Sequence, residues 1–155
     1  MNQPCHAPED IVFGPVPSRR LGKSLGINHI PAKHCTYSCI YCQLGRTDRM
    51  LVERREFYPV DAICNAVRAK VAQAEKAGEA VDYLTFVPDG EPTLDIHLER
   101  EIEALRSLEI PIAVISNASL IDNPDVRRAL AKADWVSLKM DAVDEKTWRA
   151  VDRPH

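Results

Sequence analysis

The sequence predicts an α/β protein built on a parallel sheet, and three observations predict it. Four short runs rich in β-branched and aromatic residues are spread along the chain. Between them lie stretches of roughly 10 to 18 residues with apolar side chains at helical spacing, an alternation that implies βαβ units. Turn and cap residues such as Gly78, Pro111 and Asn123-Pro124 stand at the junctions. Pattern alone leaves a doubly wound open sheet and a barrel unseparated.

Residues 1–12 are expected to be a flexible N-terminal tail, with residues 13–155 as the folded core. Phe13-Gly14-Pro15-Val16-Pro17-Ser18-Arg19-Arg20-Leu21-Gly22 holds two prolines and two glycines, which exclude a regular helix. Residues 24–30 alternate apolar with polar or small side chains and form the first expected strand, ending at Pro31. Residues 43–55 read as a loop with a short extended piece at Met50-Leu51-Val52. From Pro59 the pattern changes to a helical stripe of Ile63, Val67 and Val71, with Ala66 and Ala74 on nearby turns and Gly78 as its stop.

Residues 82–87 are the second expected strand, running into Pro88-Asp89-Gly90-Glu91-Pro92-Thr93. Leu98, Ile102 and Leu105 mark the next helix. Pro111 introduces the third strand, Ile112 to Ser116, closed by Asn117. Asn123 is placed to cap a third helix, with Pro124 at its first position. Residues 135–140 are the fourth strand, ending at Asp141, and residues 143–151 open a last helix. On that fourth strand Val136, Leu138 and Met140 share one face, and Trp135, Ser137, Lys139 and Asp141 share the other. The first set suits covering helices. The second suits a polar interior, where Lys139 needs a carboxylate and Asp141 is its nearest neighbour on that face.

The 155 residues suit one domain, with 45% hydrophobic and 28% charged residues. A net charge of −3 makes no general case for nucleic acid or membrane. Between Pro15 and Arg55, however, eight Lys/Arg face two Asp/Glu, a local +6 that leaves −9 elsewhere. It is either a solvated basic face or a positive rim for an anionic substrate. The start of the chain lacks the apolar run of a signal peptide, and no stretch approaches the roughly 20 apolar residues that span a bilayer.

Five cysteines are an odd number, and three are crowded together. That is poor disulfide arithmetic and points to a reducing cytoplasm. Cys5 falls in the tail, and Cys64 falls in a helical pattern as a small buried residue. The other three lie in His34-Cys35-Thr36-Tyr37-Ser38-Cys39-Ile40-Tyr41-Cys42, at spacing C-x3-C-x2-C. Three thiolates cannot ligate every iron of a four-iron cluster. Either a fourth ligand comes from elsewhere, or one iron keeps an open position, the mark of a catalytic rather than a closed site. His34 is adjacent to Cys35, too close along the chain for both to reach one centre easily, and reads as a polar loop residue. A zinc site or an electron-transfer cluster remains the alternative from spacing alone.

This spacing, with Tyr41 before the last cysteine, resembles the signature of the radical S-adenosylmethionine (SAM) enzymes. The block from Phe13 to Gly22 resembles an iron–sulfur oxidoreductase subgroup related to wyosine-base synthases. The resemblance implies a [4Fe-4S] cluster on Cys35, Cys39 and Cys42 whose open iron binds the amino and carboxylate groups of SAM. One electron then cleaves SAM to methionine and a 5'-deoxyadenosyl radical, which abstracts hydrogen from a substrate. Asp89-Gly90-Glu91-Pro92 resembles the Gly-Gly-Glu motif that follows the second strand in that family, with Asp89 in place of the first glycine. It implies that Gly90 and Glu91 receive the SAM ammonium, that Tyr41 lies near the adenine, and that Ser116, Asn117, Ser137 and Asp141 meet the ribose and carboxylate.

For the fold the resemblance implies a partial (β/α) barrel of the radical SAM type with about four parallel strands, truncated before closure. The fourth strand would then keep an unpaired edge, and Cys35, Glu91, Asn117 and Asp141 would converge at one end of the sheet. The implied partners are SAM, an electron donor and a substrate that is RNA or a small molecule, without a membrane. Either a longer natural polypeptide continues past His155, or another chain supplies the missing strands.

Overall fold

The computed structural model describes residues 11–155. β1 (Val12–Ser18) runs antiparallel to β2 (Gly22–Ile27). The sequence reading took this stretch only as non-helical and named no strand in it, and the strand holds two prolines. They are tolerated because β1 is the outer strand of the sheet and its register shifts between Phe13 and Val16. Ile11 and Val12, expected in the tail, are buried in the core, and the Ile11 carbonyl accepts the Asn28 N–H at 2.7 Å. The boundary of the folded core is corrected accordingly, because these two side chains find apolar partners under the sheet. Residues 1–10, including Cys5, lie outside the described residues.

β2 continues into a parallel set: β5 (Tyr83–Phe86) beside β2, then β6 (Ile112–Ser116), then β7 (Trp135–Leu138). The sheet order β1-β2-β5-β6-β7 is a barrel wall with four parallel strands and no closure. This is the partial (β/α) barrel that the resemblance implied. Two short strands, β3 (His34–Cys35) and β4 (Arg49–Met50), form a separate parallel ladder above it. Among the described residues β7 pairs on one side only, and at its outer end Leu138 is 49% and Met140 80% exposed.

Alternation along the strands separates two faces. Leu25, Ile27, Leu84, Phe86, Ile112 and Val114 join a single core with the helices. The apolar stripes predicted by spacing supply the other half: Ile63, Val67 and Val71 of α1 (Val60–Lys76), and Leu98, Ile102 and Leu105 of α2 (Leu98–Leu105). Each such side chain contributes roughly 1.5–3 kcal/mol on burial. α3 (Pro124–Leu130) begins as expected, with the Asn123 side chain accepting the Asp125 N–H at 2.8 Å. Gly78 follows α1 at φ 69°, a conformation that favours glycine.

The opposite sheet face carries small and polar groups. Ser24 and Thr85 share a hydrogen bond of 2.6 Å, and the Phe13 ring lies so close over Gly26 that a Cβ there would stand 2.0 Å from it. α4 (Glu145–Asp152) closes the described chain and packs its far end against the cysteine-bearing loop.

One buried pair opposes this packing. Glu101 of α2 is fully buried, with neither carboxylate oxygen bonded among the described residues, and Asp95 Oδ2 is likewise unpartnered. Burial, with Asp95 adding its charge, pushes the Glu101 carboxyl up to about 9, and burial pushes Asp95 up to about 6. A carboxyl whose folded pKa is raised stabilises the fold below its unfolded pKa and loses that contribution as pH rises through the folded value. Stability should therefore decline from about pH 4.5 toward pH 9. We expect Glu101→Gln to match the parent near pH 4 and to exceed it by roughly 2–4 kcal/mol at pH 8 in urea denaturation. A pH-independent difference would show that Glu101 is not the acid responsible.

Candidate functional site

The cysteine loop is shaped by segments far away in sequence. Below it, the short ladder of β3 and β4 brackets the loop, with Arg49 N–H donating to Lys33 O and Leu51 N–H to Cys35 O, both at 3.1 Å. Inside it, Cys42 N–H donates to Cys39 O at 3.1 Å and Gly45 N–H to Cys42 O at 2.9 Å, two tight turns that bring the last two cysteines round. From the far side the end of α4 holds it: Ser38 N–H donates to Asp152 O at 3.0 Å and Ile40 N–H to Val151 O at 2.9 Å. The loop's amides are thus taken up one by one, as buried backbone donors require.

Cys35, Cys39 and Cys42 are free and partly exposed. All three line one cavity of about 200 Å³ whose other wall is the loop after β5, from Val87 to Gly90. That loop is pressed onto β3. Lys33 N–H donates to Asp89 O at 2.6 Å, Glu91 N–H donates to His34 O at 3.1 Å, and a Cβ on Gly90 would stand 2.0 Å from His34 O. Only glycine allows this approach. Burial pushes the Cys35 and Cys39 thiols up, and Lys139 beside Cys39 acts in the opposite sense. Among the described residues no three His, Cys, Asp or Glu side chains converge on a single-ion position. A cluster makes a different demand, because each thiolate takes its own iron. Three free sulfurs around one recess, with room between them, fit that demand. His34 turns away, its Nδ1 at 3.2 Å from Ala32 O and its ring edge-on to Phe57, as a polar loop residue does.

Glu91 differs from the expectation. Its side chain is buried and its carboxylate already accepts four hydrogen bonds: Thr93 N–H at 3.0 Å, Thr93 O–H at 2.6 Å, Ser116 O–H at 2.8 Å and Asn117 N–H at 2.8 Å. Three of these bonds fall on Oε1 and one on Oε2, so the carboxylate is held within the chain by its own donors. The same bonds occupy Ser116, whose Oγ also accepts Ala118 N–H at 3.0 Å. Burial pushes the Glu91 carboxyl up while these donors oppose the shift. Glu91 instead ties the loop after β5 to the end of β6.

Asn117, next in line, reaches the cysteine loop. Its Nδ2 donates to Thr36 Oγ1 at 2.8 Å and lies 3.6 Å from Cys35 Sγ. Asp141 meets Tyr41 through a hydrogen bond from the tyrosine hydroxyl and meets Lys139 Nζ at 2.8 Å, the pairing expected from strand parity. Cys35, Glu91, Asn117 and Asp141 therefore do converge at one end of the sheet. Ser137 is half-buried within β7 and lines neither recess.

A second, open cavity of about 420 Å³ lies beside the loop, lined by Asn117, Lys139, Asp141, Trp148 and Asp152 among others. Sequence reading missed Thr36, Trp148 and Asp152. The last two are four residues apart on α4, hence on one helix face, and that spacing was the available signal. The Trp148 ring stands edge-on to Tyr37, 5.9 Å between centroids.

Parallel strands ending in a loop of three free thiols around one recess define an α/β protein with a candidate metal centre at its strand ends. The chain belongs to the Radical SAM superfamily, which it matches over residues 29–155. It is 57% identical over 145 residues to a UPF0026 protein of Methanocaldococcus jannaschii, covering 94% of this chain and 44% of that protein. A UPF0026 protein of Helicobacter pylori is 38% identical over 148 residues, covering 94% and 47%. An S-adenosylmethionine-dependent nucleotide dehydratase of a Thermoplasmatales archaeon is 29% identical over 117 residues, covering 76% and 37%. The chain spans about half the length of the UPF0026 proteins it matches, 44% to 52%. Among solved structures it resembles TYW1 with a lysine-pyruvate adduct bound, with a TM-score of 0.65 at 17% identity, covering 85% of this chain and 46% of that one. That likeness is one of fold. No helix among the described residues is long and apolar enough to cross a membrane.

Proposed function

We propose that this chain is the cluster- and SAM-binding part of a radical SAM enzyme working in a reducing cytoplasm. The observation that carries the reading is the single recess lined by Cys35, Cys39 and Cys42 and walled by Asp89-Gly90. The three cysteines would hold a [4Fe-4S] cluster. When bound, the cluster supplies one electron to SAM and thereby starts radical chemistry on a substrate.

This chain's own residues would do the positioning. Gly90 lets the loop after β5 pass close over β3, which leaves its backbone facing the cysteines. Glu91 holds that loop and the β6 end in one geometry. Asn117 borders the larger recess and reaches Cys35 of the smaller one, and Asp141, bonded to Tyr41, borders the larger one, where the nucleoside of SAM would lie. Ser116 and Ser137 are less favoured as contacts, since Ser116 is spent on Glu91 and Ser137 is set back in its strand. The name of the archaeal dehydratase relative supports SAM as ligand. The substrate would be an RNA base or a small molecule, and the electron would come from a separate donor.

The test is anaerobic reconstitution with iron and sulfide, followed by SAM and dithionite. We expect about four irons per chain and release of 5'-deoxyadenosine. A cluster that forms but never cleaves SAM would make the chain an electron carrier instead.

A further inference from the structure

The side chain of Lys139 is placed where the cluster reading alone does not require a cation. Its ammonium has three protons and meets three acceptors: Asp152 Oδ1 at 2.7 Å, Asp141 Oδ2 at 2.8 Å and Cys39 Sγ at 3.2 Å. The rings of Tyr37 and Tyr41 flank it at 5.4 and 5.1 Å. Asp152 is almost fully enclosed, its side chain 2% exposed, and its Oδ1 also lies 3.2 Å from Cys39 Sγ. As an iron ligand Cys39 is a thiolate with no proton to donate. The contact between Asp152 and that sulfur then joins two anions, and Lys139 is the group bonded to both. Cys35, by contrast, is met by neutral donors, the Asn117 amide at 3.6 Å and the backbone N–H groups of Tyr37 and Thr36.

We propose that Lys139, anchored by Asp152, is a positioning residue that supplies the countercharge at the Cys39 corner of the cluster and raises its reduction potential. The inference rests on the three-cysteine cluster proposed above. A charged N–H donor on a ligating sulfur withdraws density from it and favours the reduced cluster, which carries one more negative charge. Asp152 has two effects. It fixes the ammonium in place, and its own charge offsets part of the gain. Lys139→Met therefore leaves a buried carboxylate facing a thiolate, whereas Asp152→Asn leaves the cation without its main counter-ion.

The readout is the midpoint potential of the reconstituted cluster, followed by electron paramagnetic resonance in a redox titration without SAM. Contacts between Lys139 and the ligand then do not enter. Poised at the parent midpoint, Lys139→Met should show about a tenfold lower ratio of reduced to oxidised cluster, which is about 59 mV for a one-electron couple. Asp152→Asn should shift in the opposite direction, and Lys139→Arg should stay near the parent. If Lys139→Met does not assemble a cluster, the double variant Lys139→Met/Asp152→Asn, which removes both charges, should restore assembly. An unchanged potential in Lys139→Met, shifts of the same sign in the two single variants, or a double variant that still fails to assemble would each overturn the proposal. A parent protein that takes up no iron would instead overturn the cluster reading beneath it.

Discussion

Replacing Cys35, Cys39 or Cys42 by alanine should abolish cluster assembly, while Cys64→Ala should leave it intact. Each of the three loop thiols faces the same recess, so each would take one iron, and among the described residues no further cysteine lines that recess to substitute for a lost one. Iron and sulfide in the reconstituted variants should fall from about four per chain to background, since a cubane with two protein thiolates is poorly held. The apo fold should survive, because all three sulfurs are partly exposed and none belongs to the core. Cys64 is the opposite case, a buried thiol of α1 packed in the core. Its replacement should lower stability by roughly 1 kcal/mol through a small cavity and leave iron content unchanged. Full cluster retention in any of the three loop variants would remove that residue from the ligand set.

The second large effect belongs to Glu91. Glu91→Ala deletes the acceptor for two backbone N–H groups and two hydroxyls, all enclosed. An orphaned buried donor costs about 1–3 kcal/mol, and since the hydroxyls can reorient, a net loss of roughly 3–5 kcal/mol is expected. Glu91→Gln should cost less, about 1–3 kcal/mol. Its Oε1 can still accept from Thr93 and Ser116, but its amide nitrogen would confront the Asn117 N–H. Asn117 would shift, and with it the contacts to Thr36 and Cys35. Urea denaturation and SAM titration of the reconstituted Gln variant should therefore fall together. A variant that keeps full stability and loses only SAM affinity would return the Glu91 carboxylate to direct contact with the ligand.

Much of this protein was legible in its sequence. The four parallel strands, the α1 and α2 stripes, the Asn123 cap and the cysteine spacing are all local signals, governed by side-chain period, backbone preference and ligand count within a few residues. Of the strands missed, β1 is held by its partner and not by its own propensity, its two prolines being tolerated at the edge position and register shift of its pairing, and the two-residue β3 is set by its pairing with β4. Strand parity also foretold the pairing of Lys139 with Asp141, because alternation is a local rule.

What a polar side chain does once its neighbours arrive was decided by tertiary structure alone. Glu91 was expected to face a ligand because a loop after a strand usually lies open. The fold instead encloses it with Thr93, Ser116 and Asn117, the last two more than twenty residues on, and their donors satisfy it. For Asp152 the helical spacing with Trp148 told only which face it shares, since its contact with Cys39 spans 113 positions. Period and propensity report which way a residue faces along its own element. Desolvation and charge pairing depend on which other elements close over it, and that is fixed only when the sheet, the cysteine loop and α4 meet.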